Sequence, residues 1–138
     1  MIRVDVRHLG EVRFEADARG HRVLCDQPVS AGGANAGMTP PEFLLTALGT
    51  CAGYYAAEYL KARHIASDGL AVRVEADKAE NPARLSWFRI DVTTPQLEPR
   101  HQEGVLRAVK RCLVHNTLLH APRIDVSVNG VDAPAVAA

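Results

Sequence analysis

Residues 39–63, TPPEFLLTALGTCAGYYAAEYLKAR, decide the fold of this chain. Thr39 offers a hydroxyl cap, two prolines follow in the first turn where their missing N–H costs nothing, and Glu42 stands three residues past the cap. These signals predict a helix that begins at Thr39 and runs to about Arg63.

Apolar residues occur on more than one face of this predicted helix. One stripe consists of Leu44, Leu48, Cys51 and Tyr55. Other apolar positions around the helix are Leu45, Ala52, Ala56 and Tyr59. One sheet cannot cover both faces, but a sheet on one side and a second copy of the molecule on the other would bury them. The sequence therefore predicts a long buried central helix in a homodimer.

Short stretches with alternating apolar and polar residues predict strands on both sides of this helix. They lie at residues 2–7, 11–15, 21–25, 70–77, 88–93 and 124–128. A second helix is predicted from about Pro99 through Cys112, followed by a short helical piece over 116–119 with Asn116 as its cap. This order predicts an α+β fold with an antiparallel sheet.

Length and charge limit the functional classes. With 138 residues the chain is predicted to form one domain, residues 1–138. Its 16 basic residues balance 16 acidic ones without long runs of either sign, which argues against nucleic acid as a partner. The apolar segment 43–57 is shorter than the roughly 20 residues of a membrane span, and the N-terminus does not resemble a signal peptide. We therefore expect a cytoplasmic protein with neither a nucleic-acid nor a membrane partner.

The chain has three cysteines, Cys25, Cys51 and Cys112, which cannot all pair within one molecule. A reducing cytosol also disfavours structural disulfides, so any disulfide is expected to be transient. A cysteine on a buried helix is usually a small apolar core residue. Cys112, however, follows Lys110 and Arg111, and such cations lower the pKa of a thiol that they face. Cys25 is assigned no role.

Two motifs in this sequence resemble those of the OsmC/Ohr family of hydroperoxide reductases. Residues 37–51, GMTPPEFLLTALGTC, are similar to the family's Gly-x-x-Pro-x-Glu-Leu-Leu…Ala-x-x-x-Cys signature. Residues 112–118, CLVHNTL, resemble its second motif, a Cys-x-Val followed by a short amphipathic turn. The order of elements resembles that of the family over nearly the whole chain.

The resemblance implies a two-cysteine peroxidase. Cys51 would be the peroxidatic cysteine, which attacks an organic hydroperoxide as a thiolate and becomes a sulfenic acid. Cys112 would be the resolving cysteine, which condenses with it to a disulfide that an external dithiol, possibly of the lipoyl type, reopens. The resemblance also implies an intertwined homodimer with both active sites at the subunit interface. No cofactor and no metal are expected.

Glu42 matches the family's active-site glutamate, which holds an arginine against the thiolate, although Glu42 also completes a capping box with Thr39. Nine helical residues span about 13.5 Å and two and a half turns, so Glu42 and Cys51 of one chain face opposite ways and Glu42 is expected to serve the partner's Cys51. Family members place the arginine in an early strand-turn or in the loop before the Pro-x-Glu motif. Residues 23–41 contain no arginine. The predicted arginine is therefore Arg22, with Arg19 as the alternative.

Three other functions are compatible with some of these residues. Cys112-x-x-His115 has the spacing of zinc ligands, but no second pair matches it. A Cys51–His115 pair could act in hydrolysis, but no nucleophile-elbow motif supports it. The main alternative is a protein of the same fold that binds a small apolar ligand at the dimer interface, which Tyr54, Tyr55 and the missing loop arginine favour.

Overall fold

The elements of the chain follow the predicted order, with three strands before the long helix and two after it. The computed structural model describes residues 1–134. Its strands are β1 (Asp5–Gly10), β2 (Arg13–Ala18), β3 (His21–Cys25), β4 (Ala71–Ala79), β5 (Arg84–Thr93), β6 (Ser127–Val128) and β7 (Val131–Asp132). Its helices are α1 (Pro40–Ala62), α2 (Gln102–Val109) and α3 (Leu113–Leu119), and single 3-10 turns cover Val29–Ala31 and Pro99–His101. The α+β class is confirmed, and each pair of neighbouring strands is antiparallel.

Helix α1 begins where its capping signals predict. The Thr39 backbone N–H and its hydroxyl both donate to one oxygen of the Glu42 carboxylate, at 2.7 Å and 3.0 Å. The helix ends at Ala62, and the positive φ of 56° at His64 turns the chain away from it. No helix among residues 1–134 is both long and apolar enough to span a membrane.

The core lies along one stripe of α1. The stripe consists of Leu48, Ala52, Ala56 and Leu60, which are at most 2% exposed. A spacing of four residues places them on one face, where Val105 and Val109 of α2 pack against Ala52, Ala56 and Leu60. The buried stripe takes Leu48 from the first predicted apolar face and Ala52 and Ala56 from the second, because the position of α2 selects a face between them. The other members of the first face, Leu44, Cys51 and Tyr55, are less buried in the single chain.

The hairpin β4–β5 covers α1 as well. Val72 of β4 and Val92 of β5 face each other and pack against the core, together with Ile90. Two glycines of α1 lie under β4, where a Cβ on Gly49 would come within 3.0 Å of the Val74 side chain. The absence of a side chain at Gly49 thus sets how closely β4 approaches the helix.

The three N-terminal strands form a separate meander in the order β1-β2-β3. The β2–β3 turn consists of Arg19 and Gly20, which both have positive φ (58° and 84°), as a two-residue hairpin turn of type I′ requires. Within residues 1–134 the meander makes no extensive contact with α1, α2 or β4–β5. Its exposed apolar side chains include Val6, Phe14 and Val23. A single chain therefore leaves an apolar face of this meander uncovered.

A buried aspartate organises the loop between β3 and α1. Asp26 is 0% exposed, and its carboxylate accepts N–H bonds from Gln27 (2.8 Å), Ala34 (3.0 Å) and Ala36 (3.0 Å). Its own N–H donates to the Met38 carbonyl at 3.3 Å, directly before α1. The carboxylate of Asp26 thus binds backbone N–H groups of this loop that no strand or helix pairs.

The C-terminal part differs from the sequence prediction in three places. The predicted helix from Pro99 through Cys112 ends at Val109, so Cys112 lies outside it. Asn116 does not cap the next helix, because α3 begins at Leu113 with Cys112 as its N-cap. The predicted strand at residues 124–128 is only two residues long and pairs with β7, so that residues 124 and 126 remain exposed. Similarly, β1 begins at Asp5, not at residue 2.

Candidate active site

The two motif cysteines lie on different elements that pack together. Cys51 is half-buried in the middle of α1. Cys112 is 0% exposed and occupies the junction of α2 and α3. Its backbone N–H donates to the Val109 carbonyl at 3.0 Å at the end of α2, and its carbonyl accepts from Asn116 at 3.0 Å in α3. Helices α2 and α3 both contact α1, and this packing brings the junction to Cys51.

The thiols of Cys51 and Cys112 lie close enough for each to change the pKa of the other. The first turn of α3 also lies near Cys51, since the N–H groups of Leu113 and Val114 help to lower the pKa of this thiol. The N–H of His115 donates to the Cys112 sulfur at 3.4 Å. The start of α3 therefore lies beside both sulfurs.

The environment separates the acidities of the two thiols. Burial is the largest single influence on the pKa of Cys51 and raises it, but the bonds from Cys112, Val114 and Leu113 together bring that pKa below its ordinary value. Burial also raises the pKa of Cys112, and the bond with Cys51 raises it further. Cys51 is therefore the sulfur that ionises first, and Cys112 keeps its proton. Lys110 and Arg111 make no contribution to the pKa of Cys112, so the lowering that these cations would cause if they faced the thiol does not occur.

The predicted arginine lies on the meander, not at the cysteines. Arg22 on β3 pairs with Asp17 (3.3 Å) and Glu15 (4.0 Å), and its side chain is 64% exposed. Arg19 forms the β2–β3 turn. Within the described part of the chain, no charged side chain contributes to the lowered pKa of Cys51. In one copy of the molecule, Cys51 is therefore activated by hydrogen bonds alone.

Glu42 is occupied by the cap of α1. Its two bonds from Thr39 lower the pKa of the carboxyl, since the backbone N–H and the hydroxyl both favour the charged form. The carboxylate is exposed to solvent in the single chain. Glu42 thus has the capping function that the sequence indicated, and its second function remains a prediction.

An apolar groove runs beside the cysteine pair. It has a volume of about 560 Å³ and lies between α1, β5 and α3. Its lining consists of Leu44, Leu48, Leu85, Ser86, Trp87, Phe88, Ile90, His115, Leu118 and Leu119. Leu48 is one helical turn before Cys51, and His115 is the residue whose N–H binds Cys112. The groove can accommodate an apolar molecule, and Leu48 and His115 connect it to the two cysteines, which are themselves not part of its lining.

The other candidate residues take no part in this arrangement. Cys25 ends β3 and forms a single parallel bridge with Met38. Among residues 1–134, no three histidine, cysteine, aspartate or glutamate side chains come together as they would to hold a metal ion. Sequence reasoning missed the N–H donors of Leu113 and Val114. No local signal could have revealed them, because they act on Cys51, which lies more than sixty residues earlier in the chain.

The fold and the site define a small α+β protein with two cysteines in contact on a central helix and a helix junction. The sequence matches the family model of OsmC-like proteins over residues 32–127, and the chain belongs to this family. No curated protein matches the sequence significantly.

Several solved structures share the fold at low sequence identity. One structure is that of a Psychrobacter arcticus protein provisionally named an osmotic stress-induced and detoxification response protein, which is 23% identical to this chain. Its TM-score is 0.77, and the match covers 85% of this chain and 88% of that one. The OsmC-like protein of Mycoplasma pneumoniae is 21% identical with a TM-score of 0.73, over 88% and 89%. The organic hydroperoxide resistance protein OsmC of Legionella pneumophila is 12% identical with a TM-score of 0.61, over 87% and 90%. At these identities the likeness establishes the fold alone.

Proposed function

We propose that this protein is a cysteine-based peroxidase that reduces organic hydroperoxides. The observation that carries the proposal is the packing of the half-buried Cys51 on α1 beside the fully buried Cys112 at the α2–α3 junction, where the pKa of Cys51 is lowered and that of Cys112 is raised. This is the division that a nucleophile and a resolving thiol require. The presence of an organic hydroperoxide resistance protein among the structures of the same fold supports the proposal.

In the proposed reaction Cys51 attacks the hydroperoxide and Cys112 then forms the disulfide. The Cys51 thiolate attacks the distal oxygen of the hydroperoxide, the O–O bond breaks, and the leaving alkoxide takes a proton to become an alcohol. Cys51 is then a sulfenic acid. The Cys112 thiol attacks its sulfur, a disulfide forms, and the hydroxyl leaves with the Cys112 proton as water. The contact between the thiols means that this step needs little movement.

An external dithiol completes the cycle. It attacks the disulfide by thiol exchange, and Cys51 is the sulfur within its reach because Cys112 is fully buried. Since a disulfide that must be reopened functions only where reductant is supplied, the proposal places the protein in the cytoplasm. The dithiol is of the lipoyl type by family resemblance.

The active form is a homodimer. The uncovered apolar face of the β1–β3 meander supports this, since water would otherwise meet the side chains of Val6, Phe14 and Val23. In this arrangement Glu42 and Arg22 of one copy reach the partner's Cys51, where the guanidinium of Arg22 further stabilises the thiolate. Each copy of the dimer thus supplies its Glu42 and Arg22 to the active site of the other copy.

The test is a titration of the reduced protein with cumene hydroperoxide. We expect fast loss of two of the three thiols and an intrachain bond between Cys51 and Cys112, identified by mass spectrometry of the digested protein. Cys51→Ser should abolish the fast phase, and Cys112→Ser should trap a sulfenic acid. Cys25→Ser is the matched control and should react like the wild type. Slow thiol loss without that bond, combined with saturable binding of the hydroperoxide, would refute the peroxidase and favour a protein that binds apolar ligands in its groove.

A further inference from the structure

His115 has a buried polar atom that no residue of the chain satisfies. Its Nδ1 is inaccessible to solvent and has no hydrogen-bond partner among residues 1–134. Buried polar atoms in native proteins are almost always paired, and an exception is often explained by a ligand or a catalytic role. The same side chain belongs to the lining of the apolar groove.

The position of His115 relative to the sulfurs is fixed through its backbone. Its N–H donates to the Cys112 sulfur at 3.4 Å, and the preceding N–H of Val114 helps to lower the pKa of Cys51. The groove wall on the α1 side contains Leu48, one turn from Cys51. Leu48 and His115 thus connect the groove to the two cysteines, and a hydroperoxide that lies in the groove has the His115 ring as a neighbour.

The remaining groove walls offer few competing groups. Three of the ten lining residues have a polar group in the side chain: Ser86 has a hydroxyl, Trp87 an indole N–H and His115 an imidazole. His115 is the titratable one among them. The leaving group of an alkyl hydroperoxide is an alkoxide, which is too basic to leave an apolar groove without a proton. Some group close to the sulfurs must supply that proton.

From this arrangement we infer that His115 is a catalytic residue, the proton donor to the alkoxide released from an organic hydroperoxide in the groove. The inference rests on the proposed peroxidase function. The Cys51 thiol first loses its proton to solvent. Its thiolate then takes the distal oxygen, and the His115 imidazolium transfers a proton to the alkoxide, which leaves as an alcohol. The neutral imidazole regains a proton from water, so that thiol and hydroperoxide yield sulfenic acid and alcohol.

Two oxidants with different leaving groups test the assignment. Tert-butyl hydroperoxide releases an alkoxide that needs a proton, whereas peracetic acid releases acetate, which does not. We expect His115→Gln to lower the rate constant of Cys51 oxidation by tert-butyl hydroperoxide about 100-fold or more, the usual contribution of a general acid, and to leave the rate with peracetic acid nearly unchanged. Glutamine keeps hydrogen-bonding capacity and comparable size but cannot deliver a proton. His115→Ala, if folded, should show the same selectivity.

His120→Gln is the matched control, since His120 is exposed at the end of the same helix and outside the groove lining. It should react with both oxidants like the wild type. Equal slowing of His115→Gln with both oxidants would mean a structural role and overturn the inference, as would no slowing with either. A wild-type protein that oxidises slowly with both oxidants would overturn the proposed peroxidase and this inference together. A fast wild type with an unselective variant would overturn the inference alone.

Discussion

Replacing Gly104 with alanine is expected to push α2 away from α1. Gly104 is buried on α2, where a Cβ would lie 2.0 Å from the Tyr59 Oη, 2.4 Å from Cζ and 2.5 Å from Cε2. The Tyr59 ring cannot retreat freely. The Arg63 guanidinium stacks on it at 3.7 Å from the ring centroid, and the hydroxyl is 3.2 Å from His101 Nδ1. The helix that leads to Cys112 must therefore move.

The size of the effect follows from two opposing contributions. Overpacking of a buried contact costs about 1–3 kcal/mol, and three contacts this short place Gly104→Ala at the upper end of that range. Alanine in a helix recovers about 1 kcal/mol relative to glycine. The net expectation is a loss of about 2 kcal/mol in the free energy of unfolding. Gly53→Ala is the control, because its Cβ would lie 3.5 Å from Val72 in ordinary contact, and it should gain roughly 1 kcal/mol.

Urea denaturation measures both variants. With a slope of about 2 kcal/mol per molar, the midpoint of Gly104→Ala should fall by about 1 M. All proteins are compared at one concentration, since the stability of the proposed dimer depends on it. Adding Tyr59→Leu to Gly104→Ala should restore part of the loss. A Gly104→Ala protein at least as stable as the wild type would refute the steric reasoning.

Four further outcomes are expected. Iodoacetamide should alkylate Cys51 before Cys112, with a pH midpoint below that of an ordinary cysteine thiol, as the lowered pKa of Cys51 requires; equal rates would contradict this. Hydrogen bonds from backbone N–H groups, above all that of Ala36, lower the pKa of Asp26 in the folded protein. The Asp26 carboxylate therefore stabilises the fold above about pH 4, and this stabilisation is lost as the pH falls through the pKa of Asp26 in the folded state. Asp26→Asn should thus unfold at lower urea than the wild type at pH 7, with a gap that narrows under acid; a constant gap would speak against the carboxylate. Trp87→Ala should raise KM for cumene hydroperoxide roughly tenfold, as the loss of part of an apolar wall implies, and leave hydrogen peroxide unaffected. Val23→Asp should increase the monomer fraction in sedimentation velocity, and an unchanged dimer would exclude this strand from the interface.

The features that the sequence predicted well depend on local chemistry. The start of α1 follows from the Thr39–Glu42 capping box and the two prolines, which act within one turn. The choice of Cys51 and Cys112 came from two motifs that lie in different elements. The proximity of the two thiols agrees with that choice.

The features that the sequence did not reveal depend on distant parts of the chain. The buried stripe of α1 is selected by Val105 and Val109, which are more than forty residues away along the sequence. Cys112 could not be recognised as a helix cap, because sulfur is an uncommon acceptor in that position. The bonds of Asp26 to residues eight and ten positions later have no local signature in the sequence.

The loop that Asp26 organises leaves most of its own sequence free. Its carboxylate binds backbone N–H groups, which every residue except proline provides, so the identity of the side chains at 34 and 36 is of little consequence for the loop. Gly33 and Gly37 are different, because a Cβ there would lie 1.9 Å and 2.3 Å from backbone carbonyl oxygens. Positions 34 and 36, which lie between Gly33 and Gly37 in the loop before α1, are thus open to substitution. An arginine could be introduced at either position without altering the backbone of this loop.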